Sequence, residues 1–80
     1  MYKRQFQHLT VPQIIAQVLA GHGIQPDVYV FNVHSSPERE YCTQYGESDF
    51  DFIQRLCAED GIAWHHQHSA DNHLLVFTED

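Results

Sequence analysis

No stretch of this chain stays apolar for the roughly 20 residues that a membrane-spanning helix needs. Its opening residues, MYKRQFQHL, lack the apolar core of a secretory signal peptide, so the expectation is a soluble protein made in the cytoplasm. Basic residues are scarce: four Lys and Arg stand against eleven Asp and Glu, for a formal charge of -7. Lys3, Arg4, Arg39 and Arg55 are scattered, so no basic stripe exists to displace the counterions of a nucleic acid. Nucleic-acid binding is set aside on that ground. Cys42 and Cys57 are too few for a secreted disulfide scaffold, and their spacing fits no zinc motif. Both read as reduced, buried small apolar residues. There is no glycine-rich phosphate loop. Ser35 and Ser36, next to His34, lack the Gly-x-Ser-x-Gly frame of a nucleophile elbow. No cofactor and no catalytic residue is expected.

What is present is enough for one small domain. Hydrophobic residues make up 42% of the 80, too many for a disordered chain. A chain of this length buries only about 60% of its unfolded surface, so the core must be thin. Seven histidines make the net charge sensitive to pH between about 5 and 7.

An internal repeat organises the chain. Residues 10–24 lie over residues 48–62 without a gap, at an offset of 38 (Thr10 to Ser48). Thr10 pairs with Ser48, Ile15 with Ile53, Ala20 with Ala58, Gly23 with Gly61 and Ile24 with Ile62. Each copy reads as one capped helix. The hydroxyl of Thr10 or Ser48 accepts from a free first-turn N–H, and Gln13 or, more weakly, Asp51 can reach back to complete a capping box. Val11, Ile14, Ile15, Val18 and Leu19 follow at helical spacing, as do Phe52, Ile53, Leu56 and Cys57. Gly23 and Gly61 supply the left-handed residue that ends each helix. Two well-capped amphipathic helices would look alike in any α+β domain, but so many matched positions favour duplication.

Extended runs follow each helix: 28–33 and 40–45 after the first, 62–68 and 73–78 after the second. Turn formers at Ser35–Pro37 and Ser69–Asn72 read as hairpin connections. The expected fold is therefore α+β, with two helix–strand–strand units over about residues 10–45 and 48–78. Two helices would pack on one face of a small antiparallel sheet, with residues 4–8 as a short extended lead-in. Phe50, Phe52, Trp64, Phe77, Ile14, Ile15, Val18, Leu56 and Val30 are the expected core.

Two clusters carry candidate chemistry. Arg39, Glu40, Tyr41, Glu47, Asp49 and Arg55 resemble an active-site group, but their spacing suits structure better. Asp49 and Asp51 fall in the first turn of the second helix, where acids are favoured by the dipole. Arg55 stands four residues after Asp51, at ion-pair spacing, and Arg39 can tie the sheet to an acid such as Glu47 or to a neighbouring subunit. The second cluster is His66, His68 and His73. In a strand His66 and His68 point to one side. A four-residue loop would set His68 across from His73, with Cβ atoms about 5 Å apart. Three imidazoles on one face suit Zn2+, Ni2+ or Cu2+, although only Asp71 in the turn is placed to add a ligand. Solvent-exposed strand histidines are the simpler reading.

The segment from Arg39 to Leu56, REYCTQYGESDFDFIQRL, together with Phe6-Gln7, the Val11-Pro12 helix opening, His22–Ile24, Glu59–Ile62 and His73–Phe77, closely resembles the VgrG family. These are the spike proteins of type VI secretion systems, and the resemblance is to their N-terminal part, related to the baseplate hub of contractile-tailed phages. The chain departs from the pattern at Gly46, where a basic residue is usual, at Cys57, where Leu is usual, and in its His-rich strand after Gly61. The resemblance implies a non-enzymatic subdomain of a longer, homotrimeric spike that sits on a tail-tube protein and carries a tip protein. It also implies export into target cells or medium and delivery of effectors. Arg39, Tyr41 and Tyr45 are then candidates for a surface that meets other segments of the same spike. The residues alone leave a second reading open, a free-standing small binding module that uses its histidine-rich hairpin.

Overall fold

The computed structural model describes residues 3–34, 36–68 and 73–79, with the backbone alone described for Lys3 and His68. The chain runs β1 (Lys3–Leu9), α1 (Val11–Gly21), a 3₁₀ turn (Pro26–Val28), β2 (Tyr29–Asn32), β3 (Arg39–Tyr45), α2 (Asp49–Glu59), β4 (Ile62–His68) and β5 (His73–Glu79). The expected Ser69–Asn72 turn, with Asp71, and Ser35 lie outside the described residues.

Both helices begin and end where the sequence places their caps. Thr10 Oγ1 accepts from the Gln13 N–H at 3.3 Å, and Gln13 Oε1 accepts from the Thr10 N–H at 2.9 Å, which closes the capping box. Ser48 Oγ accepts from the Asp51 N–H at 3.1 Å. At the far end of α1, Gly23 adopts φ 75°. Ile24 N–H then donates to Leu19 C=O and Gly23 N–H to Ala20 C=O, both at 3.0 Å, the Schellman pattern that satisfies the last carbonyls. Gly61 takes φ 65° at the matching point after α2.

The sheet differs from expectation while the α+β class holds. Strands pair in two sets: β1 with β3, and β2–β5–β4. The runs expected to form the first hairpin, β2 and β3, therefore belong to different sheets. Strand β3 is taken by β1, antiparallel, with Phe6 opposite Cys42. This sets the Phe6 ring against Phe52 of α2, with centroids 5.8 Å apart. Strand β2 instead runs parallel to β5, pairing Tyr29 with Leu75 and Phe31 with Phe77, where the Phe31 and Phe77 rings stack at 4.8 Å. Burial of these aromatics at non-local positions decides the pairing, and no local turn signal reports it. The second hairpin forms as expected, β4 antiparallel to β5, with His68 opposite His73.

The core lies between the helices and the inner faces of both sheets. Val11, Ile14, Ile15 and Val18 of α1 and Phe52 and Leu56 of α2 are almost wholly buried, joined by Phe6, Cys42, Cys57, Ile62 and Phe77. Fully burying one such aliphatic side chain stabilises by about 1.5–3 kcal/mol. Two expected core residues are not there: Phe50 is 56% exposed and Val30 36%. Val30 alternates with the inward Tyr29 and Phe31 and so faces out. Phe50 sits at the start of α2 beside Ile53, off the Phe52–Leu56 stripe, with its ring edge-on to the half-buried Trp64 at 5.9 Å.

Candidate assembly interface

Alternation along β3 sorts its side chains by function. Cys42 and Gln44 point inward and are buried, while Tyr41 and Tyr45 are about 60% exposed on the outer face. Across the ribbon Tyr41 faces Gln7 and Thr43 faces Gln5, both exposed glutamines. The stretch of this face formed by Gln5, Gln7, Tyr41 and Thr43 is uncharged in a chain of charge -7, and Lys3 stands opposite Tyr45 at its edge. Depletion of charge with enrichment of Tyr is the composition of interface cores.

Arg39 does not share that face. It reaches the C-terminal end of α2, where Nη1 donates to Glu59 Oε1 at 2.7 Å and Nη2 to Asp60 Oδ1 at 2.8 Å. Ser36 Oγ donates to the other Asp60 oxygen at 2.9 Å. The acid expected for Arg39, Glu47, belongs instead to Arg55, whose Nη2 and Nε bind its two oxygens at 2.7 and 3.2 Å. Arg55 also donates to Glu59 at 3.1 Å and to the Thr43 C=O at 3.0 Å. Asp51, its expected partner, is exposed. A two-pronged bond to the partly covered Glu47 outcompetes a single exposed pair along the helix.

A second network was invisible in the sequence. Gln44 is fully buried. Its Oε1 accepts from Arg4 Nε and Nη2 at 3.2 and 2.8 Å, and its Nε2 donates to Glu47 C=O at 3.0 Å and Asp49 Oδ1 at 2.6 Å. Asp49 also accepts from Arg4 at 3.0 Å and meets His22 Nε2 at 2.6 Å. The network joins β1, β3 and the facing ends of both helices. Alternation of Gln44 with Cys42 was the one available signal for it. The Gln44 amide, then His22, hold the Asp49 carboxyl below its ordinary range. The Arg55 guanidinium does the same for Glu47, and Arg39, then Arg55, for Glu59. Burial pushes the Cys57 thiol up to about 11 and raises Cys42 as well, the direction of an inert thiol.

On the other side of the helices an apolar groove of about 240 Å³ opens between them and the three-stranded sheet. Leu19, Ile24, Phe50, Ile53 and Trp64 are among its walls. In the hairpin beyond it, the His66 and His73 rings stack with centroids 5.2 Å apart. Among the described residues, no three His, Cys, Asp or Glu side chains group to hold a metal ion. No described helix is long and apolar enough to cross a membrane.

Comparison with known proteins accounts for nearly every residue. The phage tail baseplate hub (GPD) family profile matches residues 2–80. The type VI secretion system spike protein VgrG4b of Pseudomonas aeruginosa is 61% identical over 79 residues, 98% of this chain. VgrG5 of the same organism, also named a type VI spike protein, is 54% identical over 80 residues. The chain spans 10% of the length of each of these two relatives. Among solved structures, the E. coli c3393 protein matches 98% of this chain at 35% identity and a TM-score of 0.90, with 23% of its own length covered. It is described as a component of the type VI secretion system with structural similarity to the T4 bacteriophage tail proteins gp27 and gp5. The chain therefore belongs to the phage tail baseplate hub (GPD) family, alongside the VgrG spike proteins of type VI secretion systems.

Proposed function

We propose that this chain is a non-enzymatic structural part of a VgrG-like spike, which folds rigidly and packs within a homotrimeric hub. The observation that carries this reading is the match of 98% of the chain, at a TM-score of 0.90, to a type VI secretion component likened to gp27 and gp5. In that setting the hub rests on the tail-tube protein, bears a tip protein and moves with effectors into a target cell. The outer face of the β1–β3 ribbon, with Tyr41 and Tyr45, meets another hub segment. Arg39 serves that face indirectly by fixing β3 to the end of α2. Every described arginine is engaged by acids of its own chain, which suits a scaffold better than a catalytic centre.

A chain that presents an assembly face without its neighbours should self-associate. Sedimentation velocity across a range of concentrations tests this. The expected result is reversible association of the native chain, weakened in a Tyr41→Glu, Tyr45→Glu double variant. A strict monomer at every concentration would contradict the reading.

A further inference from the structure

We propose that His66 and His73 form a two-imidazole site for a borderline divalent metal ion, of the class of Zn2+, Ni2+ or Cu2+, where β4 ends and β5 begins. The register carries the placement. His68 stands opposite His73, so His66, two residues back on the same strand, lies diagonal to it on the same face. The exposed rings of His66 and His73 are 5.2 Å apart and within 21° of parallel. Rotation about χ2 is soft for a histidine, and modest turns aim one nitrogen of each ring at a common ion. Imidazole suits these three metals.

The surroundings favour a cation there. The chain carries a charge of -7, and its four basic residues lie on β1, β3 and α2, none on the hairpin. The described arginines are occupied by Asp49, Glu59, Asp60 and Glu47. Beside the two rings is a hollow of about 290 Å³, walled by Ile24, Val28 and Leu75. That wall excludes competing polar ligands on one side and leaves the outer side to water. No third described ligand joins the pair, so the ion keeps several waters and binds exchangeably rather than as a closed structural site.

Titration of the chain with Zn2+ and with Ni2+, followed by His-ring NMR signals, tests the site. The expected result is saturable shifts under Zn2+ and broadening under Ni2+, centred on His66 and His73 and reversed by a chelator, at metal concentrations below about 1 mM. His66→Ala or His73→Ala removes the response. His65→Ala, on the opposite face of β4, leaves it in place. His68→Ala then separates a two-ligand site, with binding retained, from a three-ligand one; the latter overturns the two-imidazole assignment. Absence of a response below that concentration, or equal perturbation of His8, His22 and His34, overturns the site altogether. Circular dichroism of each variant shows that the fold is intact, so that a lost response reports ligation.

Discussion

The two helices share length, cap chemistry and exit, yet they are held in place by different forces. Each spans 11 residues, opens on a hydroxyl cap and closes before a left-handed glycine. Helix α1 carries no charged residue and buries Val11, Ile14, Ile15, Val18 and Leu19. Helix α2 buries Phe52, Leu56 and Cys57 and spends its remaining faces on Asp49, Asp51, Arg55 and Glu59. Its C-terminal end even holds two acids, Glu59 and Asp60, against the helix dipole. Arg39 and Arg55 reverse that conflict. Helix α1 is fixed by desolvation, with one polar contact at its exit (His22 to Asp49), while α2 is also strapped to the β1–β3 ribbon along its length. The strap matters because that ribbon carries the exposed tyrosines.

The comparison can be broken from either end. Ile14→Ala in α1 leaves a cavity that nothing can refill, and a loss of about 2–5 kcal/mol is expected in denaturant unfolding. Against the roughly 5–15 kcal/mol of a typical domain, that is enough to unfold much of the chain at moderate temperature. Gln44→Leu removes the buried amide that bonds Arg4, Asp49 and the Glu47 C=O at the joint between ribbon and helices, leaving the Arg4–Asp49 pair without it. A loss of about 1–3 kcal/mol is expected, with no matching change from Gln5→Leu on the outer face. Arg39→Met keeps the aliphatic stem but takes one partner from each acid at the end of α2, leaving Glu59 to Arg55 and Asp60 to Ser36. About 1–3 kcal/mol should go, and amide exchange should quicken in α2 and β3 before α1.

Acid should distinguish the helices without any substitution. Asp49, Glu47 and Glu59 have folded-state values below those of the unfolded chain. Their contribution is complete above the unfolded carboxylate range, about pH 4, and is lost as pH falls through the folded values. Thermal melts from pH 7 down to 3 should therefore show a falling Tm, with less of a fall in Arg39→Met, which has already lost part of the strap. The smallest effects belong to the caps. Thr10→Ala and Ser48→Ala should each cost about 0.5–2 kcal/mol, more at Thr10, where both halves of the capping box go.

How much of this the sequence disclosed follows from the range of each interaction. The caps, the glycine exits and the α1 stripe are contacts within a few residues, and all were legible. Strand partners are set by contacts far apart in sequence. The expected β2–β3 hairpin failed because Phe6, in a run with only one other apolar residue near it, recruits β3 through Phe52. In VYVFNV only Asn32 is polar, so alternation gave a single cue, its place two residues from Val30, that Val30 faces out. Phe50 misled in the same way, since it stands at helical spacing with both Ile53 and Cys57. Among the candidate residues, Tyr41 and Tyr45 are exposed, while Arg39 is paired with Glu59 and Asp60. The Arg4–Gln44–Asp49–His22 joint depends on four separate elements, and no local pattern announces it.

The most direct test of an assembly role is a transplant. The matching segment of Pseudomonas aeruginosa VgrG4b, 61% identical to this chain, can be replaced by these 80 residues and the oligomer measured by light scattering. The account predicts that the chimera assembles like its parent and that Tyr41→Glu with Tyr45→Glu abolishes assembly while the segment stays folded. A chimera that assembles equally well with both tyrosines changed would contradict it.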